Sequence, residues 1–231
     1  MIVKETMFTD RVIVITGAAG ATGRQAAQAF AGHGASLALL GRSREKLEAL
    51  ARDLALPLER FLTHSVDLLD EPALQDSAEA VTAKFGRVHV LIHLVGGWTG
   101  GATLTESRPD DLKSMLDQHV WTTYHLARAF VPAMQREGWG RFIVVSSPFA
   151  VAPSARMGPY AAAKAAQETL LLTLADEFKG TNLTANIIQV KAIDAQGQGK
   201  GASPAEITAA MLYLCSDEAG KVNGARIPLL K

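Results

Sequence analysis

The chain has 231 residues, of which 48% are hydrophobic and 20% are charged, as in a globular protein with one large α/β domain or two small ones. Its 23 basic and 23 acidic residues give a formal net charge of zero, which argues against nucleic acid or an anionic membrane as a partner. One cysteine, Cys215, excludes an internal disulfide. The N-terminal MIVKETMFTD lacks the apolar core of a signal peptide, and no apolar stretch is long enough to span a bilayer. We therefore expect a cytoplasmic protein.

Short apolar runs rich in β-forming residues alternate with longer helical patterns along the chain. The runs cover residues 12–15, 36–40, 60–64, 88–93, 141–146, 184–190 and 225–229. This alternation predicts right-handed βαβ crossovers and a parallel sheet with helices on both faces. No linker or repeat divides the chain, so one domain is predicted over residues 1–231. The longest helical pattern covers residues 109–138, and residues 194–204 are predicted to form a loop over a site.

The segment TGAAGATG, residues 16–23, directly follows the first apolar run and carries three glycines spaced three apart. A strand, a glycine turn and a helix form a phosphate-binding arrangement, because the turn exposes backbone N–H groups and the helix N-terminus adds partial positive charge. A plain structural turn is the alternative interpretation. The predicted dinucleotide contacts at this turn are Gly17, Ala19, Gly20, Ala21, Thr22 and Gly23.

An arginine follows the second run, where NAD-binding folds carry an acidic residue for the adenosine ribose. Arg42 is a forked cationic donor suited to a 2′-phosphate, so this pattern favours NADP(H), with NAD(H) possible. Ser43 is also predicted to contact the cofactor. The alternative interpretation of Arg42 is that it caps a helix or lies in solvent. Asp67, after the third run, can accept a hydrogen bond from the adenine amino group, with Leu68 beside it. Its alternative role is to cap the helix that starts near Glu71.

Tyr160 and Lys164 lie four residues apart in a helical stretch after the fifth run, so they share one helix face. A phenol titrates near ~10, and a neighbouring ammonium together with an oxidised nicotinamide lowers that value. Tyr160 can then give a proton to a carbonyl oxygen while hydride arrives at carbon. A hydroxyl from Ser146 or Ser147, at the end of the fifth run, can hydrogen-bond the same oxygen.

From RVIVITGAAGATG to LCSDEAGKVNGARIPL, with the Tyr-x-x-x-Lys pair between them, the chain resembles the short-chain dehydrogenase/reductase family. The resemblance implies a single Rossmann-type doubly wound sheet of about seven parallel strands. It implies Tyr160 as general acid/base and Lys164 as the residue that lowers its pKa and holds the ribose. The family serine lies thirteen residues before the tyrosine, which selects Ser147. A homodimer or homotetramer is also implied. Further cofactor contacts are predicted at Leu94, Val95, Gly96 and Ile193.

The chain departs from the family pattern in three places. Residues 93–96 read His-Leu-Val-Gly where Asn-Asn-Ala-Gly is common, and His119 replaces an asparagine of the long helix. His119 is a candidate for a proton path or a substrate contact, with a packed helix histidine as the alternative. Val190-Lys191 replaces a Pro-Gly, and the usual substrate-binding helices are almost missing. We therefore expect a pocket that is open or is closed by a neighbouring subunit.

A second, local resemblance is to quinonoid dihydropteridine reductase. It rests on the glycine spacing at residues 17–23, on GGWTGG at residues 96–101 and on the Trp-Thr pair at 121–122. Trp98 is well placed to stack on a flat heterocycle, with an exposed loop aromatic or a subunit contact as the alternatives. Ser147 and Arg42 argue against this resemblance, because that enzyme has no such serine and prefers NADH.

Three hypotheses follow. The first is an NADP(H)-dependent oxidoreductase acting on a small carbonyl or alcohol, with Ser147, Tyr160 and Lys164 as the catalytic residues. The second is a quinonoid dihydropteridine reductase-like enzyme, in which Trp98 has more weight. The third is a dinucleotide-sensing protein without catalysis. No metal site is predicted, because His89 and His93 have no further ligands nearby in the sequence.

Overall fold

The computed structural model of the protein describes residues 7–230, and it contains one seven-stranded sheet. The strand order is β3-β2-β1-β4-β5-β6-β7, and every neighbouring pair is parallel. The strands are β1 Val12–Thr16, β2 Ser36–Gly41, β3 Phe61–Ser65, β4 Val90–His93, β5 Gly140–Ser146, β6 Leu183–Val190 and β7 Arg226–Leu229. The predicted doubly wound parallel sheet is therefore confirmed.

Helices connect the strands and cover the sheet on both faces. They are α1 Ala21–Gly32, α2 Arg44–Leu54, α3 Glu71–Phe85, α4 Pro109–Leu116, α5 Thr122–Glu137, α6 Gly158–Glu177 and α7 Pro204–Cys215. Several start at side-chain caps, which satisfy backbone N–H groups of the first turn. Ser43 caps α2, Asp70 caps α3, and Ser203 forms a capping box with Glu206 at the start of α7.

The core consists of two apolar layers, one on each face of the sheet. Alternate residues of β1 enter different layers, because side chains alternate across a strand. Val12 and Val14 join the layer that contains Phe130 of α5. Ile13 and Ile15 join the other layer, which contains Phe30 of α1 and Met211 of α7. All residues of β1 and β6 are buried, as expected for strands covered on both faces.

The helical pattern at residues 109–138 forms two helices rather than the single helix that the sequence predicts. A π-helical turn, Asp117–Trp121, separates α4 from α5, and the Thr122 N–H donates to the carbonyl of Asp117. The hydroxyls of Thr122 and Thr123 donate to the carbonyls of Gln118 and His119, which offers these carbonyls partners other than helix N–H groups. π-Helical turns occur often at functional sites, and this one carries His119.

The segment between β6 and α7 has no helix. It forms a loop that begins and ends at a bridge between Ile193 and Ala202, and the Asp194 carboxylate accepts from the N–H groups of Gln198 and Gly199. Within residues 7–230 no helix has the length and apolar character needed to span a bilayer. Residues 1–6 and 231 lie outside the described part. The predictions of a single domain over residues 1–231 and of an N-terminus without a signal peptide therefore stay predictions.

Candidate active site

A cavity of about 710 Å³ lies at the carboxyl ends of β1, β4, β5 and β6. From β1 the strand order runs through β2 to β3 on one side of the sheet, and from β4 it runs through β5 to β7 on the other side. β1 and β4 therefore flank the switch point where parallel sheets bind ligands. The cavity is lined by Gly17, Gly20, Ala21, Thr22, Gly23, Leu94, Val95, Gly96, Gly97, Trp98, His119, Val145, Ser146, Met157, Tyr160, Lys164, Val190, Lys191, Ala192 and Ile193.

The glycine turn forms one wall of this cavity. Gly17 has a φ of +70°, and a Cβ there would lie 3.0 Å from the carbonyl carbon of Leu94. A Cβ on Gly23 would overlap the carbonyl oxygens of Gly17 and Ala18, so only glycine lets α1 pack this closely against the turn.

The start of α1 fits a pyrophosphate. Gly20 is the N-cap and provides no side-chain acceptor, and the first turn of α1 has no acidic residue, so its positive end is uncompensated. The Thr22 hydroxyl is buried and has no hydrogen-bond partner within residues 7–230. A buried donor without a partner is costly unless a ligand satisfies it. The predicted glycine-turn residues therefore form a suitable phosphate cradle.

The predicted adenosine-side residues lie outside the cavity lining. Arg42 is exposed directly after β2, its backbone carbonyl accepts from the Ser65 hydroxyl at 2.8 Å, and no carboxylate in the described part pairs with its guanidinium. The Ser43 hydroxyl caps α2. Asp67 accepts from the Leu69 N–H at 3.0 Å and does not cap α3, because Asp70 takes that position. Ala19 and Leu68 also lie outside the lining.

Tyr160 and Lys164 line the same cavity, and Ser147 lies beside Tyr160 but outside the lining. Ser147 follows β5 and is fully buried, while Tyr160 and Lys164 lie one turn apart on α6. Burial raises the pKa of Tyr160, and a hydrogen bond from Ser147 partly opposes that rise. Ser146 lines the cavity, but its hydroxyl is buried without a partner in the described structure. The contact with Tyr160 favours Ser147 as the serine of the site.

Burial, rather than charge attraction, has the largest effect on both Tyr160 and Lys164. The pKa of Lys164 is lowered to about 7 because its ammonium is desolvated, and the Glu168 carboxylate partly opposes this. The Lys164 Nζ lies 6.0 Å from the centre of the Tyr160 ring. In the protein alone, burial raises the pKa of Tyr160 and keeps the phenol protonated at neutral pH. The lowering of this pKa by Lys164 together with an oxidised nicotinamide stays a prediction.

His119 packs edge-on against Tyr160, with ring centres 5.6 Å apart and an angle of 78° between the rings. Its Nε2 donates to the carbonyl of Gly97 at 2.9 Å, which leaves Nδ1 as an acceptor. That Nδ1 is buried and has no partner among residues 7–230. Burial and the nearby Lys164 lower the pKa of His119 to about 3, so the ring is neutral at physiological pH.

His93, at the end of β4, has a structural arrangement that the sequence did not indicate. It is fully buried and lies 2.8 Å from the Thr16 hydroxyl and 3.1 Å from the Thr122 hydroxyl. Because Thr122 donates to Gln118, it accepts from His93 Nε2, and Nδ1 accepts from Thr16. Burial lowers the pKa of His93 to about 3. The neutral ring therefore links β1, β4 and the start of α5.

Several residues around the cavity were not predicted from the sequence. Gly97, Val145, Met157, Lys191 and Ala192 line it, and Gln167 contacts Lys164 behind it. Gln167 lies three residues after Lys164 on the same helix, so its position on the lysine face was a readable signal. Trp98 lines the cavity with 59% of its surface exposed, and its stacking role stays a prediction. Among residues 7–230 no three metal-ligating side chains come together.

Comparison with known proteins decides the family. A sequence model described as short chain dehydrogenase matches residues 11–204. The chain belongs to this family. Its members bind nicotinamide dinucleotides, and the predicted class of enzyme, an NAD(P)-dependent dehydrogenase/reductase, is confirmed.

Similar proteins cover nearly the whole of this short-chain dehydrogenase. An uncharacterized oxidoreductase of Escherichia coli (strain K12) is 27% identical over 96% of this chain and 92% of its own. The meso-2,3-butanediol dehydrogenase of Serratia marcescens is 27% identical over 96% of this chain and 94% of its own. The structure of L-sorbose reductase from Gluconobacter frateurii, complexed with NADPH and L-sorbose, has a TM-score of 0.87 and 25% identity, covering 97% and 96% of the two chains.

Proposed function

We propose that this protein transfers hydride between NADP(H) and a small carbonyl or alcohol, with Tyr160 exchanging the proton of the substrate oxygen. The observation that carries the proposal is that Tyr160 and Lys164 line the same cavity as the glycine turn, with Ser147 buried beside Tyr160. A phenol, a hydroxyl and an ammonium in a buried site form a proton donor with its supports.

The bound dinucleotide supplies the hydride, and the chain's own residues manage the proton. Tyr160 is protonated at neutral pH because burial raises its pKa, so its phenol can donate to a carbonyl oxygen during reduction. The Ser147 hydroxyl lies beside Tyr160, where it opposes the rise in the pKa of the phenol, and we expect it to orient the same oxygen. Lys164 provides an ammonium whose charge favours the phenolate that proton transfer produces. His119 is neutral, so it supports the Tyr160 ring by contact rather than as a proton donor.

The proposed preference for NADP(H) rests on Arg42. Its exposed guanidinium has no carboxylate partner in the described part and follows β2, beside the N-terminus of α2. The similar L-sorbose reductase was solved with NADPH. We expect Arg42→Ala to weaken NADPH binding about tenfold with little effect on NADH, because one charge-assisted contact is lost. Fluorescence titration measures both, with Arg52→Ala at the other end of α2 as the matched control.

The activity test follows nicotinamide absorbance with a panel of hydroxyketones, sugars, simple ketones and 3-oxoacyl thioesters. The names of the similar meso-2,3-butanediol dehydrogenase and L-sorbose reductase put the first two classes at the head of the panel. Tyr160→Phe should abolish turnover with NADPH affinity unchanged, while Tyr213→Phe, at an exposed position of α7, should leave it intact. Turnover by Tyr160→Phe at the wild-type rate would refute the mechanism. NADPH binding without hydride transfer to any substrate would favour the sensor hypothesis.

A second candidate function is reduction of a quinonoid pterin or a similar flat ring. The exposed indole of Trp98 at the cavity favours it, because such a ring can stack on a heterocycle. On that substrate Trp98→Ala should reduce turnover at least as much as Ser147→Ala. On ketones the order should reverse, since the serine acts on the carbonyl oxygen.

We also propose a homodimer or homotetramer. Trp121 and Tyr124 are 50% and 41% exposed around the start of α5, and adjoining rings of this size form an apolar patch suited to another subunit. Light scattering measures the mass, and a monomer at micromolar concentration would contradict this proposal. The cytoplasmic location stays a prediction, which fractionation of cells tests.

A further inference from the structure

A chain of hydrogen bonds extends behind the catalytic lysine. Lys164 Nζ donates to Gln167 Oε1 at 2.8 Å, Gln167 Nε2 donates to Thr123 Oγ1 at 2.8 Å, and Thr123 Oγ1 donates to the carbonyl of His119 at 2.6 Å. All four residues are at least 95% buried. The chain therefore joins α6 to the π-helical turn that packs His119 against Tyr160.

We propose that Gln167 is a positioning residue that holds the Lys164 ammonium at the cavity wall, with Thr123 anchoring the Gln167 amide to the π-helical turn. This inference rests on the proposed function, in which Lys164 supports Tyr160. Gln167 touches neither the cavity nor Tyr160 in the contacts described, so it acts through Lys164.

The geometry leaves the ammonium little freedom. It has three N–H donors, of which one goes to the carbonyl of Val145 at 2.8 Å and one to Gln167. The third is left for a group in the cavity that Lys164 lines. Without the Gln167 oxygen, a second donor would be unsatisfied in a buried site, or the ammonium would turn away.

The orientation of the Gln167 amide is also determined. The ammonium form of Lys164 can only donate, so the amide oxygen faces Lys164 and the amide nitrogen faces Thr123. The Thr123 hydroxyl uses its proton for the His119 carbonyl and therefore accepts from Gln167. Every donor in the chain thus points in one direction, away from Lys164, and no member can reverse alone.

The charged surroundings of Lys164 make the role of Gln167 measurable. Tyr160 and Glu168 face it from α6, His93 from β4 and His119 from the π-helical turn. Both histidines are neutral at physiological pH, and Glu168 is paired with Arg226. A carboxylate at position 167 would therefore stabilise the ammonium, and an apolar side chain would destabilise it.

The experiment compares Gln167→Glu with Gln167→Met, two side chains of similar size that should have opposite effects on the pKa of Lys164. The first readout is the pKa of Lys164 in the cofactor-free protein, measured by ¹³C NMR of labelled lysine and assigned with Lys164→Met. We expect Gln167→Glu to raise this pKa and Gln167→Met to lower it. Gln135→Glu, at an exposed position of α5, is the control for added charge.

The second readout is the pH profile of kcat/KM in the reductive direction. The alkaline limb should move up by about one pH unit in Gln167→Glu, and Gln167→Met should lose about tenfold at pH 7.5. Thr123→Val should lose less, about threefold, and Thr123→Ser should restore the wild-type rate by keeping the hydroxyl. This threonine pair answers the same question if a Gln167 variant does not fold.

The two proposals fail in different ways. If the wild-type protein reduces no carbonyl, the proposed function fails, while the NMR titration still tests Gln167. If neither Gln167 variant moves the pKa of Lys164, the positioning role is overturned, even where turnover is normal. Equal losses in both variants with no shift in pKa or pH profile would make Gln167 merely structural and would also overturn it.

Discussion

Each end of the sheet buries a cation, and the two cations differ in their hydrogen-bond partners. At the carboxyl end Lys164 has two partners and faces a cavity. At the amino end the Arg141 guanidinium donates to the carbonyls of Gly140, Asn182 and Ser216 and lies 4.1 Å from the Trp139 ring. The amino end thus uses its cation to satisfy backbone carbonyls, whereas the carboxyl end keeps one donor for a ligand.

Unsatisfied polar atoms sharpen this contrast. Around the cavity the hydroxyl of Thr22 and the Nδ1 of His119 are buried without partners in the described structure. At the amino end Trp139 Nε1 donates to Asp217, Arg11 stacks on the same ring at 3.8 Å, and only Nε of Arg141 is left over among these groups. An end built for stability completes its hydrogen bonds internally, and an end built for binding leaves them for the ligand.

The largest expected effect is on catalysis at the carboxyl end. Lys164→Met should reduce kcat/KM about a thousandfold, because the proton donor loses its supporting charge. The free energy of unfolding should change by less than ~2 kcal/mol, since a desolvated cation contributes little to stability. Urea unfolding and steady-state kinetics measure the two effects. A large loss of stability with normal kinetics would erase the contrast between the two ends.

The corresponding substitution removes the buried cation at the amino end of the sheet. Arg141→Met should reduce the free energy of unfolding by about 3 kcal/mol, because three buried carbonyls lose a charged donor. The rate per folded molecule should be unchanged, since Arg141 lies at the opposite end of β5 from Ser147. A loss of kcat in the folded variant would show that the two ends are coupled.

Histidines before and at the end of β4 allow a comparison by pH. Burial lowers the pKa of His89 to about 4 and that of His93 to about 3, so the folded protein keeps both neutral. The unfolded chain binds protons near pH ~6.5, so stability should fall as pH drops below that value. Each histidine contributes a slope of about 1.4 kcal/mol per pH unit down to its folded pKa.

Urea unfolding between pH 7 and pH 4 measures this slope. His93→Asn should reduce it, since the amide can accept from Thr16 and donate to Thr122 without titrating. His89→Gln should reduce it in the same way, because its oxygen can accept from the Val12 N–H that His89 Nδ1 now accepts. An unchanged slope in both variants would mean that other groups dominate the acid response.

The smallest expected effect separates two neighbouring serines. Ser146→Ala should leave turnover unchanged and alter stability by less than ~1 kcal/mol, because its buried hydroxyl has no partner to lose among residues 7–230. Ser147→Ala should reduce turnover about a hundredfold, because the substrate oxygen and Tyr160 lose a donor. Steady-state kinetics on both variants assigns the serine, and the reverse order would move the role to Ser146.

Much of this arrangement could be predicted from the sequence. All seven apolar runs became strands within two residues of their predicted ends, since a parallel strand covered on both faces must be apolar throughout. The break between α4 and α5 was not predicted, because the hydroxyls of Thr122 and Thr123 compete for carbonyls in a pattern that hydrophobic periodicity does not show. Asp67 was open to two interpretations, an adenine contact or the cap of α3, and Asp70 rather than Asp67 takes the cap position.

The sequence by itself determined the fold class, the glycine turn and the facing pair Tyr160 and Lys164, because each depends on residues close together in the chain. Only the tertiary structure decided which groups share the cavity and in what protonation state. Gln167 and Thr123 meet across 44 residues, and His93 reaches Thr16 across 77. The pKa values of Lys164, His93 and His119 follow from burial, which depends on how the whole chain packs rather than on any local pattern.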